Sequence, residues 1–231
     1  MSILQNLQEI RTHVPEHVKL VCVSKFHPEN AVMEAYKAGE RIFGESRVQE
    51  LMEKQPNLPA DIQWHFIGHL QTNKIRYVVP FVSLIHGVDS FKVLREINKQ
   101  AEITGRVVHC LLQVHIADEE TKFGFTTGEL KEMLDSDEFS KLKNIEIDGL
   151  MGMATLTNDT SKIRHEFRSL KNLKDEIKQL YFAHNESFNE LSMGMSGDFE
   201  VAIEEGATIV RIGQALFGAR TLPDSYYWPE K

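Results

Sequence analysis

Short runs of apolar, β-branched residues alternate with amphipathic helical stretches, and this alternation constrains the fold more than any other feature. The predicted strands cover residues 18–24, 41–43, 63–67, 81–85, 107–114, 145–151, 190–193 and 208–212. Clear helices are predicted at 29–38, 91–104, 163–180 and 198–205. Alternating strand–helix units build a parallel sheet with right-handed crossovers. Eight such units after a lead-in helix predict an α/β fold of the closed (β/α)8 TIM-type barrel, with an open doubly wound sheet as the structural alternative.

The length and the apolar content agree with one barrel. A chain of 231 residues has the size of a single barrel domain covering 1–231, and 42% hydrophobic residues supply a sizeable core. No G-x-G-x-x-G pattern follows the first predicted strand, so a dinucleotide-binding sheet gains no support.

The charge balance and the termini exclude several classes of function. With 26 Lys and Arg against 34 Asp and Glu, the net charge of −8 argues against general binding to nucleic acids or anionic membranes. No apolar run has the length of a membrane span, and the first residues lack the features of a signal peptide. Cys22 and Cys110 lie in apolar runs, which predicts buried free thiols. We therefore expect a cytoplasmic monomer, because a closed barrel has no sheet edge to pair.

Lys25 is the strongest candidate for a chemically reactive residue. Active sites of such barrels lie at the C-terminal ends of the strands, and Lys25 directly follows the apolar first strand. A partly desolvated lysine amine can attack a carbonyl and form a Schiff base. The alternative is a lysine whose stem packs on the barrel while its ammonium reaches solvent at the rim.

The segments after strands seven and eight predict a phosphate site. Barrels often bind phosphate there through backbone N–H groups. The segment SMGMSGD supplies Ser196, and RIGQALFG supplies Arg211 and Gly213. The alternative is that these glycines only form tight turns. Together with Lys25, the loops indicate either pyridoxal 5′-phosphate (PLP) bound to the lysine or a sugar phosphate handled by a Schiff-base aldolase.

Two other patterns are disfavoured. The stretch around Ser196 lacks the G-x-S-x-G spacing, and no histidine follows it in the order that a hydrolase triad requires. His65 and His69 have the spacing of a helical metal pair, but no glutamate stands beside His65 and a glycine turn separates them. These histidines are interpreted as structural or ligand-lining residues.

Several motifs carry a family resemblance along almost the whole chain. VCVSKFHP, FGESRVQE, WHFIGHLQTNK, ETKFGF, GLMGMAT, LSMGMSGDFEVAIEEGATIVRIG and ALFGAR occur in this order. They resemble the pyridoxal phosphate homeostasis protein family (YggS/PROSC type).

The resemblance implies a barrel similar to the N-terminal domain of alanine racemase, with PLP held as a Schiff base on Lys25. It further implies that the cofactor phosphate is held by Ser196 and by Gly213 with Gln214, and that Arg211 lies near the pyridine nitrogen. Ser46 stands where the family often has asparagine, so the resemblance gives this cofactor-lining position a shorter side chain.

An arginine at the pyridine nitrogen implies a carrier rather than an enzyme. Arginine is permanently charged and only donates hydrogen bonds, so it disfavours ring protonation and weakens the cofactor as an electron sink. Alanine racemase also uses a tyrosine from a second domain, whereas here only a tail with Tyr226 and Tyr227 follows strand eight. We expect a non-catalytic PLP carrier that passes the cofactor to PLP-dependent apo-enzymes by amine exchange. The alternative is a slow racemase-like enzyme.

Overall fold

Eight parallel strands close into a barrel in chain order. The computed structural model describes residues 2–118 and 123–219. The strands are β1 (Lys19–Val23), β2 (Ile42–Glu45), β3 (Gln63–Phe66), β4 (Leu84–Val88), β5 (Val108–Gln113), β6 (Ile145–Met151), β7 (Glu190–Ser192) and β8 (Ile209–Ile212). Pairing of β1 with β8 closes the sheet. The predicted (β/α)8 barrel is confirmed, and the open doubly wound alternative is wrong.

Helices cover the outside of the barrel, and several begin after a serine, threonine or aspartate whose side chain caps the first turn. They are α1 (Ile3–His13), α2 (Glu29–Lys37), α3 (Val48–Lys54), α4 (Ile75–Val78), α5 (Phe91–Thr104), α6 (Thr127–Asp135), α7 (Asp137–Ser140), α8 (Thr160–Tyr181), α9 (Phe199–Glu204) and α10 (Gln214–Phe217). Ser2 and Gln5 form a capping box at the lead-in helix α1, as Thr126 and Glu129 do at α6. Gly105 ends α5 at a φ of 65°. In the described ranges, no helix is long and apolar enough to cross a bilayer.

The fourth strand lies three residues later than the sequence predicts. The expected range was 81–85, whereas β4 covers Leu84–Val88. The N–H groups of Phe81 and Val82 donate to the carbonyl of Val78, so these residues close the end of α4 instead of entering the sheet. The shift places His86 and Gly87 inside the strand.

The strands separate two apolar layers. Because side chains alternate along a strand, Leu20 and Cys22 belong to the core between sheet and helices, whereas Val21 and Val23 pack inside the barrel. Cys22 and Cys110 are free and buried, as predicted, and burial raises the pKa of both thiols. The barrel interior is therefore apolar where β1 lines it, up to the residues just before Lys25.

A glycine permits a close approach of β6 and β7. The register between β5 and β6 shifts by one residue of β6, so that Cys110 of β5 lies opposite Ile147 and Leu111 lies opposite Gly149. Gly149 has a φ of 155°, and a Cβ added to it would lie 1.9 Å from the carbonyl oxygen of Glu190. A larger residue cannot be accommodated without moving backbone.

We expect Gly149→Ala to lower the free energy of unfolding by about 1–3 kcal/mol, as overpacking does. The matched control is Gly128→Ala in α6, where no atom lies within 4 Å of the added Cβ. That change should raise stability by about 0.5–1 kcal/mol, because alanine favours helix. Urea denaturation of both variants measures the effect, and equal stabilities would contradict the close approach.

Candidate functional site

All six residues predicted to bind the cofactor lie at the C-terminal end of the barrel. Lys25 follows β1 and is partly buried, Ser46 follows β2, and Ser196 follows β7. Arg211 lies within β8, and Gly213 and Gln214 follow it. Since β8 pairs with β1, the segments that carry Lys25 and Gly213 are neighbours. A Cβ added to Gly213 would lie 3.2 Å from the carbonyl oxygen of Val23.

The segments after β7 and β8 are bonded to each other. Ser196 Oγ accepts a hydrogen bond from the N–H of Ala215 at 3.2 Å. The N–H of Arg211 donates to the carbonyl of Gly194 at 2.9 Å. Asp198 Oδ1 accepts from the N–H of Met195 at 2.6 Å and fixes the turn before α9. The predicted phosphate residues thus form one continuous wall of hydroxyl and backbone groups.

Arg211 is held rigidly beneath this wall. It is only 4% exposed, and its guanidinium donates to Ser192 Oγ at 2.6 Å and to the carbonyl of Gly152 at 3.2 Å. Burial lowers the pKa of Arg211 to about 10, while Asp198 acts in the opposite direction. The guanidinium therefore stays charged at neutral pH and cannot turn away from the barrel interior.

A chain of buried hydrogen bonds continues from Arg211 through the barrel. Ser192 Oγ lies 2.9 Å from His86 Nδ1, and His86 Nε2 lies 2.9 Å from His65 Nδ1. We assign the Ser192 hydroxyl proton to the bond with His86, because Arg211 can only donate and these two are the partners of Ser192 Oγ among the described residues. His86 then carries its proton on Nε2 and donates to His65. Every acceptor in the chain points back toward the arginine, which stabilises its charge.

Both histidines of this chain are neutral. Burial lowers the pKa of His65 to about 3, with Lys19 adding to the effect. Burial also lowers the pKa of His86, with His65 and Arg211 as further causes. His69 lies elsewhere, with Nδ1 2.6 Å from Asp89 Oδ2 and its ring stacked on Phe123. His65 and His69 therefore do not act as a pair, and the described residues contain no cluster of three metal-ligating side chains.

Ser46 offers a polar group to which no described residue bonds. Its Oγ is buried and has no hydrogen-bond partner among the described residues. The backbone of Ser46 is packed tightly, because a Cβ added to Gly68 would lie 2.2 Å from its carbonyl oxygen. A buried hydroxyl without a partner is uncommon, so this atom indicates a ligand at the mouth of the barrel.

Three residues around the site were not predicted from the sequence. His86 directly follows the predicted fourth strand and was not singled out, and it lies inside β4. Glu50 and Lys54 look like solvent-exposed charges of α3 in the sequence, yet Lys54 is buried and bonds to the carbonyl of Ser24 beside Lys25. Tyr226 and Tyr227 lie outside the described residues.

Comparison with known proteins first defines the class. The family model described as alanine racemase, N-terminal domain, matches residues 1–221. Alanine racemase from Bartonella henselae shares this fold at 16% identity, with a TM-score of 0.71 over 96% of this chain and 61% of that chain. Fold and sequence together define a barrel of the alanine racemase N-terminal type.

Closer relatives specify the family. A pyridoxal phosphate homeostasis protein from Aquifex aeolicus is 44% identical over 204 residues, 87% of either chain. One from Vibrio alginolyticus is 37% identical over 95% of this chain and 98% of its own. PipY of Synechococcus elongatus, solved with PLP bound, is 37% identical with a TM-score of 0.85 over 94% of this chain and 100% of that one. The chain belongs to the pyridoxal phosphate homeostasis protein family.

The residues at the barrel mouth fit a phosphate-bearing aldehyde such as PLP. Lys25 carries an amine, the wall around Ser196 carries a hydroxyl and backbone N–H groups, and Ser46 Oγ has no partner in the described part of the chain. Arg211 supplies a fixed positive charge. The donor set therefore agrees with the ligand that the resemblance implies.

The neutral state of His65 predicts a loss of stability in acid. An unfolded histidine titrates near pH 6.5, whereas His65 in the folded protein titrates at about 3. Between these values the unfolded chain binds a proton that the folded chain does not, so stability falls as the pH falls. The stability of the wild type relative to His65→Gln should drop by about 2 kcal/mol between about pH 7 and pH 5. Urea unfolding of both proteins at the two pH values measures this, and a constant difference would mean that His65 titrates in the folded protein as it does in the unfolded chain.

Proposed function

We propose that this protein binds PLP and takes part in its intracellular homeostasis, holding the cofactor through a reversible covalent bond to Lys25 for storage or transfer. The observation that carries the proposal is the meeting of Lys25, the bonded segments of Ser196 and Ala215, and the buried Arg211 at one end of the barrel. The relatives named above and PLP in the PipY structure support the same ligand.

Each residue has a distinct role in this proposal. When bound, PLP supplies an aldehyde that condenses with a primary amine, with loss of water, together with a phosphate and a pyridine ring. Lys25 provides the amine. Ser196 and the backbone of Gly213 and Gln214 would hold the phosphate. Arg211 would lie near the pyridine nitrogen, and Ser46 would offer its hydroxyl, which has no partner among the described residues.

We propose that the protein acts as a carrier and not as an enzyme. The Arg211 charge persists at neutral pH because its pKa is lowered only to about 10. Two hydrogen bonds, to Ser192 and to Gly152, fix its position. An arginine at the pyridine nitrogen disfavours ring protonation, whereas enzymes that need a strong electron sink commonly place an acid there. The site is thus suited to binding an aldehyde and poorly suited to stabilising a carbanion.

We propose that the single barrel domain 1–231 acts as a monomer in the cytoplasm. PLP-dependent apo-enzymes are its proposed recipients. The closed β1–β8 seam supports the monomer, because it leaves no strand edge for a partner.

The alternative is a slow racemase-like enzyme, which the match to the alanine racemase N-terminal domain favours. It predicts exchange of the α-proton of an amino acid in heavy water, dependent on Lys25. Absence of exchange in the PLP-loaded protein would leave the carrier function.

The covalent bond to Lys25 is tested by reduction and mass mapping. We expect the purified protein with PLP to absorb visible light, and borohydride to fix a phosphopyridoxyl group on Lys25. Lys25→Ala should lose this adduct, whereas Lys37→Ala in α2 should keep it. A colourless protein that stays unmodified after PLP is added would overturn the proposed function and favour a sugar phosphate ligand.

The role of Ser196 is tested by the retention of PLP. Ser196→Ala removes one hydrogen bond to a charged acceptor, so binding should weaken by about 1.5–3 kcal/mol, a factor of roughly ten to a hundred in Kd. Ser169→Ala on the exposed side of α8 is the control and should leave Kd unchanged. Equal Kd values for Ser196→Ala and wild type, from titration by absorbance, would assign phosphate binding to backbone N–H groups alone.

A further inference from the structure

The turn that carries Lys25 has an unusual backbone. The N–H of His27 donates to the carbonyl of Ser24 at 3.0 Å, so residues 24–27 form a hydrogen-bonded turn with Lys25 in second position. Phe26, in third position, has a φ of 68° and is the single non-glycine residue with a positive φ among those described. A positive φ at the third position alone is the mark of a type II turn, which favours glycine there. Phenylalanine favours the type I turn, so another interaction must hold this geometry.

Glu50 supplies that interaction. Types I and II differ mainly by the rotation of the central peptide, so that the N–H between the second and third residues points to opposite sides. The N–H of Phe26 donates to Glu50 Oε1 at 2.6 Å. Its acceptor belongs to a carboxylate that is largely shielded from water, with 16% of the side chain exposed. A charge-assisted hydrogen bond in such a place favours the type II orientation of the Lys25–Phe26 peptide.

Lys54 bonds both to Glu50 and to Ser24, the first residue of the turn. Its ammonium, 7% exposed, donates to Glu50 Oε1 at 2.7 Å, to Glu45 Oε1 at 2.7 Å and to the carbonyl of Ser24 at 2.8 Å. All three of its donors are thus used. Ser24 Oγ also donates to Glu45 Oε1 at 2.7 Å. Both residues that flank Lys25 are therefore anchored to one buried cluster on the helix side of the sheet.

Burial of these charged groups costs free energy, so stability alone does not explain the cluster. Glu45 is fully buried, and burial raises its pKa to about 7, with Glu50 adding to the effect and Lys54 opposing it. The Oε2 atoms of Glu45 and Glu50 have no hydrogen-bond partner in the described residues. Buried ionic groups that are only partly paired, beside a strained backbone, are typical of functional sites.

We propose that Glu50, held by Lys54, is a positioning residue that fixes the Lys25–Phe26 peptide in the type II orientation and thereby presents the Lys25 amine to the barrel mouth. The inference rests on the proposed function, since it concerns how Lys25 meets PLP. Neither Glu50 nor Lys54 contacts the cofactor in this scheme.

The variant Phe26→Gly distinguishes a positioning role of Glu50 from a role in general stability. Glycine adopts a positive φ without strain, so Phe26→Gly favours the type II turn even without Glu50. Glycine also increases the conformational entropy of the unfolded chain, which opposes the relief of strain at this φ. The free energy of unfolding of each variant is therefore measured beside its PLP affinity. If Glu50 acts on the turn, Phe26→Gly restores PLP binding to a Glu50 variant without restoring the stability lost with Glu50. If Glu50 only stabilises the barrel, PLP affinity follows the free energy of unfolding in all variants.

The experiment compares PLP affinity and the Lys25 adduct in wild type, Glu50→Ala, Glu50→Ala with Phe26→Gly, and Glu53→Ala. Glu53 is exposed on the same helix and is the matched control. If the turn of Glu50→Ala is type II only about a tenth of the time, its apparent Kd rises about tenfold. The double variant should recover most of this loss, and Glu53→Ala should equal wild type. Glu50→Met, which keeps the length of the side chain and lacks the carboxylate acceptor, replaces Glu50→Ala in this comparison if the alanine variant does not fold.

The outcomes distinguish the two proposals. Absence of a Lys25 adduct in wild type would refute the proposed function itself. An adduct in wild type with unchanged affinity in the Glu50 variant would refute the positioning role alone, as would a loss that Phe26→Gly does not reverse. A crystal structure of the cofactor-free Glu50 variant gives a readout independent of PLP. There a negative φ at Phe26 is expected, and a positive one would overturn the inference.

Discussion

The pairing of β1 with β8 is the contact on which the site depends. It joins the beginning and the end of the barrel, with Lys19 opposite Ile209 and Cys22 opposite Ile212. Residue 25 and residues 211–214 are far apart in the chain, and only this seam makes them neighbours. Its tightness is visible at Gly213, where a side chain would meet the backbone of Val23 at 3.2 Å. The proposed site needs the amine of Lys25 beside the segments of Ser196 and Gly213, and a closed sheet makes them neighbours. An open sheet with the same elements would separate them.

The interior of the closed barrel is narrow, and the charged guanidinium of Arg211 lies in it. Val21 and Val23 fill the side of the interior that β1 lines, while Arg211 on the neighbouring strand occupies the same layer with a guanidinium. A buried charge is costly unless its donors are satisfied. The chain through Ser192, His86 and His65 meets part of this need with neutral groups that direct their acceptors toward the arginine, and Asp198 adds a favourable charge. A carboxylate in place of Ser192 would neutralise the charge that the proposed function needs at the pyridine nitrogen.

The order of the strands and the location of the site were predictable because both follow from local patterns. Alternating apolar strands and amphipathic helices define the barrel, and the barrel places Lys25, Ser196 and Arg211 at one end. The polar network was not predictable in the same way. His86 lies in an apolar run whose strand begins three residues later than the pattern suggests, because Phe81 and Val82 close a helix.

Glu50 and Lys54 illustrate a deeper limit of sequence patterns. A charged pair four residues apart on a helix is the usual signature of an exposed surface. Here α3 packs this pair against the end of β1, where three donors of Lys54 find acceptors from three different residues. Burial of such a pair depends on tertiary contacts that a one-dimensional pattern does not contain. The positive φ of Phe26 is equally hidden, because phenylalanine gives no sign of a turn that favours glycine.

The two polar networks lie on opposite sides of the barrel wall and act on different parts of the site. One lies inside the barrel and holds Arg211, and the other lies between sheet and helix α3 and holds the turn of Lys25. Both fix a group in advance, so the proposed ligand would meet an ordered turn at Lys25 and an ordered charge, and would lose little conformational freedom on binding. The proposed carrier must retain a reactive aldehyde without driving further chemistry. In that proposal the preorganised contacts supply the retention, and the arginine limits the chemistry.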